Sequence, residues 1–403
     1  MLQPTPMRPL EPGWRMLNQN FSQSFLPWGA MGRNNDNYNA MINLPGEANY
    51  AKSKEFASRW PGPKAENPAL AMYFAPHTES SAIMTSDWNA RGYFGGEWEG
   101  GTYTKTLIDH TLWWVNKWVE EGGLQGLYHD QFAPHTVPSI SSGLAYLLPD
   151  GRVQPGYALT TRRQYVMRQH ALWLEKGYAR PRTLTHTTNG GPMGSYGWIE
   201  SCIDGEDKQI NSASTIDFAD CWPSERIRAG TLTYNFGCVM GWMRLIDRTG
   251  MTDAQSRRHD RVFAGHCLLH DIQNTINTVY NWDRTPAKSP LYAFGMHVDD
   301  VFFWPFWRNG DVVKGQTAEL TVSAWTRPDR ALVCVFNYDR QAAAEAKLAL
   351  DLKAMGVALP AGAAAWDIET PEAAVPAELT SAAAGLQVAV PARDFRLISI
   401  GAR

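Results

Sequence analysis

Two carboxylates flank a glycine in the segment IDGED, Asp204 and Glu206. In an extended segment this spacing places both side chains on one face. Two negative charges so close together raise the pKa of one group, which prepares a proton donor beside a base. The alternative interpretation is a solvated acidic turn that also includes Asp207.

A third candidate carboxylate is Asp130, near the end of the strand-like segment GLYHDQF (126–132). Alternation along a strand predicts that Tyr128 and Asp130 face one way and His129 the other. A carboxylate pointing into a protein interior is unfavourable unless it is paired or functional. Asp130 is therefore a candidate catalytic residue, and a structural aspartate that caps the following loop is the alternative.

Further candidates lie in loops with glycine or aromatic neighbours. Glu97 and Trp98 follow a Gly-Gly pair in YFGGEWEG, and His186 follows the strand-like start of TLTHTTNGG. A tryptophan ring stacks on apolar faces of ligands such as sugar rings, and a neutral histidine binds hydroxyl groups. Ordinary core tryptophans and structural histidines are the alternatives. Asp217, Asp220 and Asp300 are weaker acidic candidates.

Other common catalytic chemistries lack their motifs here. The sequence has no GxSxG, P-loop or HExxH motif, and no GxGxxG follows a strand. Its five cysteines form no CxxC pair, so we predict buried free thiols, no metal site and no cofactor. Carboxylates combined with 17 tryptophans best match glycoside hydrolysis, although carboxylate pairs also serve metal-assisted hydrolysis.

Length and composition indicate a folded chain of about two domains. The chain has 403 residues, of which 44% are hydrophobic and 19% charged, and its net charge is −3. This near-neutral charge predicts no nucleic-acid or anionic-membrane partner. We expect no transmembrane helix, because no run of 18 apolar residues is present. The first residues, MLQPTPMRPLEPGW, lack the apolar segment of a signal peptide.

The pattern of elements predicts an α/β fold with three parts. Residues 1–68 are irregular, and 69–311 alternate strand-like and helical segments, with acidic residues following the strands. This alternation is typical of a (β/α)8 barrel, of which five or six strands are recognisable. The first one or two either lie unrecognised in residues 1–68 or are missing from this chain, which would leave the start of the barrel incomplete. Residues 312–403 contain short alternating segments at hairpin spacing, which predict an antiparallel β-sandwich.

Two helices and five strands are predicted with defined bounds before residue 223. The helices cover 107–122 and 160–177, and the strands lie in ALAMYF (69–74), LQGLYHDQF (124–132), PRTLTHTTNG (181–190), YGWIESCIDGED (196–207) and STIDFADCW (214–222).

Several short motifs resemble a group of glycoside-hydrolase-like (β/α)8 proteins with a C-terminal β-sandwich. The motifs are GGEW (95–98), GLYHDQF (126–132), RRQYVMR (162–168), LTHTTN (184–189), DGED (204–207), FWPFW (303–307) and ALVCVFNYDR (331–340). More distantly, the layout is similar to retaining α-galactosidase and endo-α-N-acetylgalactosaminidase enzymes. Those enzymes carry an N-terminal β domain and early barrel strands that residues 1–68 do not show.

The resemblance implies roles for individual residues. Asp130 would be the nucleophile, and Glu206, or else Asp204, the acid/base. Tyr128, Arg163 and Asn189 lie in the shared motifs and join Glu97, Trp98 and His186 as predicted substrate-binding residues. The expected partner is an oligosaccharide or glycoconjugate substrate, and the resemblance favours a secreted or periplasmic enzyme of polysaccharide degradation.

Two alternatives stay open. In the first, Asp204 orients a 2-acetamido group of the substrate as the nucleophile and Glu206 is the acid, which requires an N-acetylhexosamine substrate. In the second, the chain is a carbohydrate-binding protein without turnover. The sugar, the anomer, exo or endo action and the oligomeric state do not follow from the sequence.

Overall fold

The structure is a computed structural model. It describes residues 73–74, 89–91, 99–101, 105–122, 126–129, 136–137, 140, 143–157, 159–178, 182–186, 197–199, 201–205, 217–231, 239–243, 248–276, 290–295, 300–371 and 374–402. The chain forms two compact units. The first contains the described residues between 73 and 205, and the second contains those from 217 onward except Val239.

The described residues of the first unit form two helices and ten short strands. They are β1 (Tyr73–Phe74), β2 (Asn89–Arg91), β3 (Glu99–Gly101), α1 (Lys105–Gly122), β4 (Gly126–His129), β5 (Thr136–Val137), β6 (Tyr146–Leu147), β7 (Val153–Gln154), β8 (Gly156–Tyr157), α2 (Leu159–Glu175), β9 (Arg182–His186) and β10 (Ser201–Asp204).

Parallel pairing joins β1, β4, β9 and β10 in that order. The register places His129 of β4 beside Thr185 of β9, and Thr185 beside Cys202 of β10. Sequential parallel strands require a crossover between each pair, and α1 and α2 supply the crossovers into β4 and β9. The carboxyl ends of all four strands therefore point in one direction.

Both helices form where the spacing of apolar residues predicts them. In α1 the buried residues recur at helical spacing, as Ile108, Leu112, Val115 and Val119. In α2 the buried residues are Arg162, Tyr165, Val166, Gln169 and Trp173. Two of these are polar, so the inner face of α2 carries hydrogen-bonding groups as well as apolar ones.

The second unit begins with short helices and a parallel strand pair. Its elements before the sheets are α3 (Phe218–Cys221), α4 (Ser224–Gly230), β11 (Val239–Met243), α5 (Asp253–Leu269), β12 (Gln273–Ile276) and α6 (Pro290–Phe294). β11 and β12 pair in parallel. Thr252 caps α5 reciprocally with Gln255, since its hydroxyl accepts the Gln255 N–H while the Gln255 side chain accepts the Thr252 N–H.

Antiparallel strands form the rest of the second unit. They are β13 (Phe302–Trp304), β14 (Val313–Lys314), β15 (Leu320–Arg327), β16 (Arg330–Asn337), β17 (Ala344–Asp351), β18 (Ala364–Asp367), β19 (Ala377–Leu379), β20 (Ala383–Val390) and β21 (Asp394–Gly401). One sheet has the order β13-β15-β16-β21-β18 and the other the order β14-β17-β20-β19.

The two antiparallel sheets pack face to face as a sandwich. Valines and leucines of both sheets share one buried cluster that includes Val322, Val333, Leu348 and Leu386. β17 alternates buried and exposed residues, as expected for a strand with one solvated face. β15 and β16 are buried on both faces, because α5 covers the side opposite the sandwich core.

The described residues confirm the fold class expected from the sequence, a parallel (β/α) barrel-type part followed by an antiparallel β-sandwich. The strands of the antiparallel sandwich begin at β13, close to the predicted domain boundary at residue 312, which stays a prediction. One local prediction was wrong, because STIDFADCW contains the helix α3 instead of a strand. Cys202, Cys267 and Cys334 are buried thiols outside any disulfide, as predicted, whereas Cys221 is a half-buried one.

None of the helices in the described part of the chain has the length and apolar character needed to cross a bilayer.

Helix α5 approaches the sheet closely at Gly265. A Cβ atom there would lie 2.7 Å from ring atoms of both Phe336 and Phe395. Replacing Gly265 by alanine should therefore lower the free energy of unfolding by about 1–2 kcal/mol, because crowding of two buried rings outweighs the gain in helix propensity. Urea unfolding measures this change. Gly230→Ala, in a helix with open space around the glycine, is the control and should not destabilise the chain.

Candidate active site

The carboxyl ends of three adjacent parallel strands form the candidate site in the first unit. β4 ends at His129, β9 ends at His186 and β10 ends at Asp204. Asp130 is the residue directly after β4, and Glu206 follows β10 by two residues. Parallel α/β folds place their reactive groups at this edge.

A buried hydrogen-bond chain holds the last residue of β4. The His129 Nε2 atom lies 2.8 Å from Gln169 Oε1, and the Gln169 amide donates to the Thr183 hydroxyl at 3.1 Å. The Tyr165 ring packs edge-on against the His129 imidazole, with 5.2 Å between centroids. Since Gln169 and Tyr165 belong to α2, these contacts show that His129 faces that helix.

Burial also changes the chemistry of His129. It lowers the pKa of His129 to about 4, although the hydrogen bond that His129 donates to Gln169 opposes this effect. The imidazole is therefore neutral at physiological pH. A neutral, buried and hydrogen-bonded histidine is an anchor for the strand end, and sequence analysis did not identify it.

Asp204 ends β10 as a buried carboxylate. Only 3% of the residue is exposed, and its Oδ1 atom accepts the Gly205 N–H at 2.7 Å. Gly205 has φ +109°, a conformation that glycine adopts readily and other residues rarely do. The strand thus stops at Asp204, and the alternation used to place Glu206 on the same face does not extend to that residue.

The structure places some of the other predicted site residues. Tyr128 lies in β4 and His186 ends β9, with only their backbones described. Arg163 lies on the exposed surface of α2, where its guanidinium group stands 4.9 Å from the centre of the Trp198 ring. The predicted residues outside the described part of the chain are Asp130, Glu206, Glu97, Trp98 and Asn189.

The weaker acidic candidates have structural partners in the second unit. Buried Arg393 donates to both Asp217 oxygens, at 2.7 and 2.8 Å, and also contacts Asp220. Asp300 pairs with Arg327 through two hydrogen bonds. The bidentate pairing of a buried arginine satisfies the carboxylate charge, so these acids connect chain segments instead of forming a catalytic pair.

A histidine network in the second unit also escaped sequence analysis. Tyr338 Oη lies 3.0 Å from His266 Nδ1, and His266 Nε2 lies 2.9 Å from the Trp222 carbonyl oxygen. Burial, followed by the proximity of His270, lowers the pKa of His266 well below its usual value. Only the position of these histidines within the apolar segment AGHCLLH hinted at buried, neutral rings.

Metal binding finds no support among the described residues. There, no group of three or more His, Cys, Asp or Glu side chains is arranged to hold a metal ion.

No protein-family model and no curated protein matches the chain. Among solved structures it is similar to a GH27 β-L-arabinopyranosidase from Geobacillus stearothermophilus in complex with arabinose, with 10% identity over 91% of this chain and 95% of that chain and a TM-score of 0.43. It is also similar to a glycoside hydrolase family 30 subfamily 8 xylanase from Clostridium acetobutylicum, with 11% identity over 89% and 87% and a TM-score of 0.44.

A third similar structure is an α-amylase from Geobacillus thermoleovorans complexed with acarbose. It has 7% identity over 80% of this chain and 73% of that chain, with a TM-score of 0.46. All three proteins are glycoside hydrolases. Identities and TM-scores this low carry no argument about activity.

The lowered pKa of His129 predicts acid sensitivity. Because the folded pKa, about 4, lies below the usual 6.5, the unfolded chain binds the proton first, and stability falls as pH drops from 6.5 towards 4. This loss approaches about 3 kcal/mol for a fully neutral buried histidine. Urea unfolding at several pH values measures it. His129→Gln, which can still bond Gln169, should give a shallower dependence, and an unchanged slope would contradict the assignment.

Proposed function

We propose that the chain is a glycoside hydrolase that uses Asp130 and Glu206 as its carboxylate pair. One observation carries the proposal, namely the parallel, in-register pairing of β4, β9 and β10. The pairing brings the chain positions that precede Asp130 and Glu206 to one edge, with β9 between them. Hydrolysis of a glycosidic bond generally uses two carboxylates that flank the bond.

The spacing of strands supports this pairing. Neighbouring strands lie about 4.8 Å apart, so the backbones of β4 and β10 are about 10 Å apart. Side chains that extend towards each other from positions this far apart reach carboxylate separations of about 5–9.5 Å, the range that covers retaining and inverting glycosidases.

The direction of Asp130 is supported by its neighbour. His129 faces α2 through its bond to Gln169. Successive residues of a strand point to opposite faces, so alternation predicts that Asp130 faces away from α2. In a (β/α) barrel that direction is the interior, where substrate binds at the carboxyl end.

The proposed mechanism is retaining. The Asp130 carboxylate attacks the anomeric carbon while Glu206 protonates the leaving oxygen, and Glu206 then removes a proton from the water that releases the sugar. Glu97, His186, Asn189, Tyr128 and Arg163 bind hydroxyl groups of the substrate, and Trp98 stacks on a ring. Asp204 shares its strand face with Cys202, which lies beside Thr185. Alternation therefore places it opposite to Asp130 and leaves it the role of orienting Glu206.

Leaving-group dependence tests the two roles separately. Asp130→Asn should lower kcat by roughly 10⁴-fold or more on dinitrophenyl and alkyl glycosides alike, because the nucleophile is needed for both. Glu206→Gln should lower kcat/KM, which reports the first step, by about 10²–10⁴-fold on alkyl glycosides and much less on dinitrophenyl glycosides, whose leaving group needs no proton. Hydrolysis of a panel of hexosides and pentosides measures both effects. Asp311→Asn, an exposed acid in the second unit, is the control.

Other outcomes select the alternatives. Full activity of Asp130→Asn would exclude the two-carboxylate mechanism. If turnover were then confined to glycosides with a 2-acetamido group and lost in Asp204→Asn, the substrate-assisted mechanism would replace it. Binding of an oligosaccharide without cleavage by the unmodified chain would indicate a carbohydrate-binding protein. Proton NMR of the first product distinguishes retention from inversion of the anomeric configuration.

A further inference from the structure

The connection between β4 and α2 contains two short antiparallel strand pairs that follow each other as a ribbon. β5 pairs with β8 and β6 with β7, and only Pro155 separates β7 from β8. We call Thr136–Val137 together with Gly143–Tyr157 the ribbon. A long connection of this kind at the carboxyl end of a barrel strand is a usual place for functional residues.

One face of the ribbon is apolar and exposed. Leu147 lies directly opposite Val153, and alternation places Tyr157 on the same face as Val153. These three residues, which we call the apolar face, are 60%, 41% and 57% exposed. Tyr146, on the opposite face, is 60% exposed and pairs with Gln154. An exposed cluster of this kind on a two-stranded ribbon indicates a binding surface.

The unpaired edge of the ribbon, along residues 153–157, lacks a free backbone hydrogen-bonding group at its centre, where a further strand would have to pair. The Leu148 N–H donates to the Arg152 carbonyl, so alternation directs the backbone groups of Val153 and Pro155 away from the partner strand. Pro155 has no N–H, and its carbonyl already accepts the Gln154 side-chain amide at 3.1 Å. Edge pairing with a second copy of the chain is therefore disfavoured, and a ligand would lie on the face instead.

The charge of the ribbon favours an uncharged ligand. Its only charged side chains, Asp150 and Arg152, form an ion pair with each other at 2.7 Å, and both are exposed. The ribbon thus offers no net charge to an ionic partner. A row of apolar side chains that ends in a tyrosine suits the C–H faces of neutral sugars, with the phenol hydroxyl as a hydrogen-bonding group.

The position of the ribbon relates it to the proposed catalytic residue. Thr136 follows Asp130 by six residues, so the two lie within about 20 Å of each other even in a fully extended chain. Tyr157 is directly opposite Thr136. We propose that the apolar face binds a neutral polysaccharide chain beyond the cleavage point and so selects polymeric substrate. This inference rests on the proposed function.

Binding is tested in the catalytically disabled Asp130→Asn chain, by affinity electrophoresis in gels that contain starch, xylan, galactomannan or mixed-linkage glucan. At least one polymer should retard the chain. Adding Tyr157→Ser should weaken that binding about tenfold, since it removes an aromatic contact from the site. Tyr146→Ser is the matched control, because Tyr146 is equally exposed on the other face, and it should change binding less than twofold.

Activity of the otherwise unmodified chain provides the second readout. Tyr157→Ser and Leu147→Ser should lower kcat/KM about tenfold on the polymer that retards the chain in the gel. Both variants should leave hydrolysis of dinitrophenyl glycosides unchanged. Circular dichroism confirms that each variant is folded. Equal losses on polymer and dinitrophenyl glycosides would contradict the proposal.

Three other results would overturn the proposal. In the first, no polymer retards the chain in the gel. In the second, Tyr146→Ser weakens polymer binding as much as Tyr157→Ser does. In the third, the chain forms a concentration-dependent dimer that Leu147→Ser dissociates without any effect on polymer binding. Failure of the catalytic proposal is distinguishable, because the chain would then bind polymer through the apolar face and hydrolyse no glycoside.

Discussion

Parallel, in-register pairing of β4, β9 and β10 is the constraint on which the candidate site depends. The register sets His129, Thr185 and Cys202 side by side, and the Thr185 hydroxyl donates to the Cys202 sulfur at 3.4 Å. Because side chains alternate, a shift of one residue in any strand would move its buried side chains to the opposite face of the sheet. The bond between His129 and Gln169 opposes such a shift in β4.

The same pairing explains why polar groups are buried behind the candidate site. Gln169 satisfies both His129 and Thr183, which lie on neighbouring strands. A buried polar group is tolerated when it is hydrogen-bonded, and a shared partner fixes the relative position of the two strands. The chain therefore uses hydrogen bonds, in addition to apolar packing, to hold the end of β4 immediately before Asp130.

The second unit is organised differently. Burial of β15 and β16 on both faces requires a cover on each side, which the facing sheet and α5 provide. Arg393 lies just before β21 with φ +51° and bonds Asp217 and the Tyr338 carbonyl. A non-glycine residue in this conformation is uncommon, and the buried ion pair offsets its cost. These contacts join the start of the unit to its last strand.

Local patterns in the sequence determined several of the longer elements of this protein. Helical spacing predicted α1 and α2, and alternating segments predicted the main sandwich strands, because periodicity reports which face of an element is buried. Where local patterns were inadequate, a distant partner decided the outcome. Asp217 looked like the end of a strand, but its partner Arg393 is 176 residues away in sequence. His129 looked like one residue of an alternating strand, and only the packing of α2 made it a neutral anchor.

The apolar face and the candidate site were likewise determined partly by the sequence and partly by the tertiary structure. Residue types alone indicated carboxylate chemistry and an aromatic-rich binding surface. Which side chains are buried, which share an edge and which remain exposed follows from strand register and helix packing, which join residues far apart in the sequence. Periodicity extends over one element at a time, so such relations between elements were decided by the tertiary structure alone.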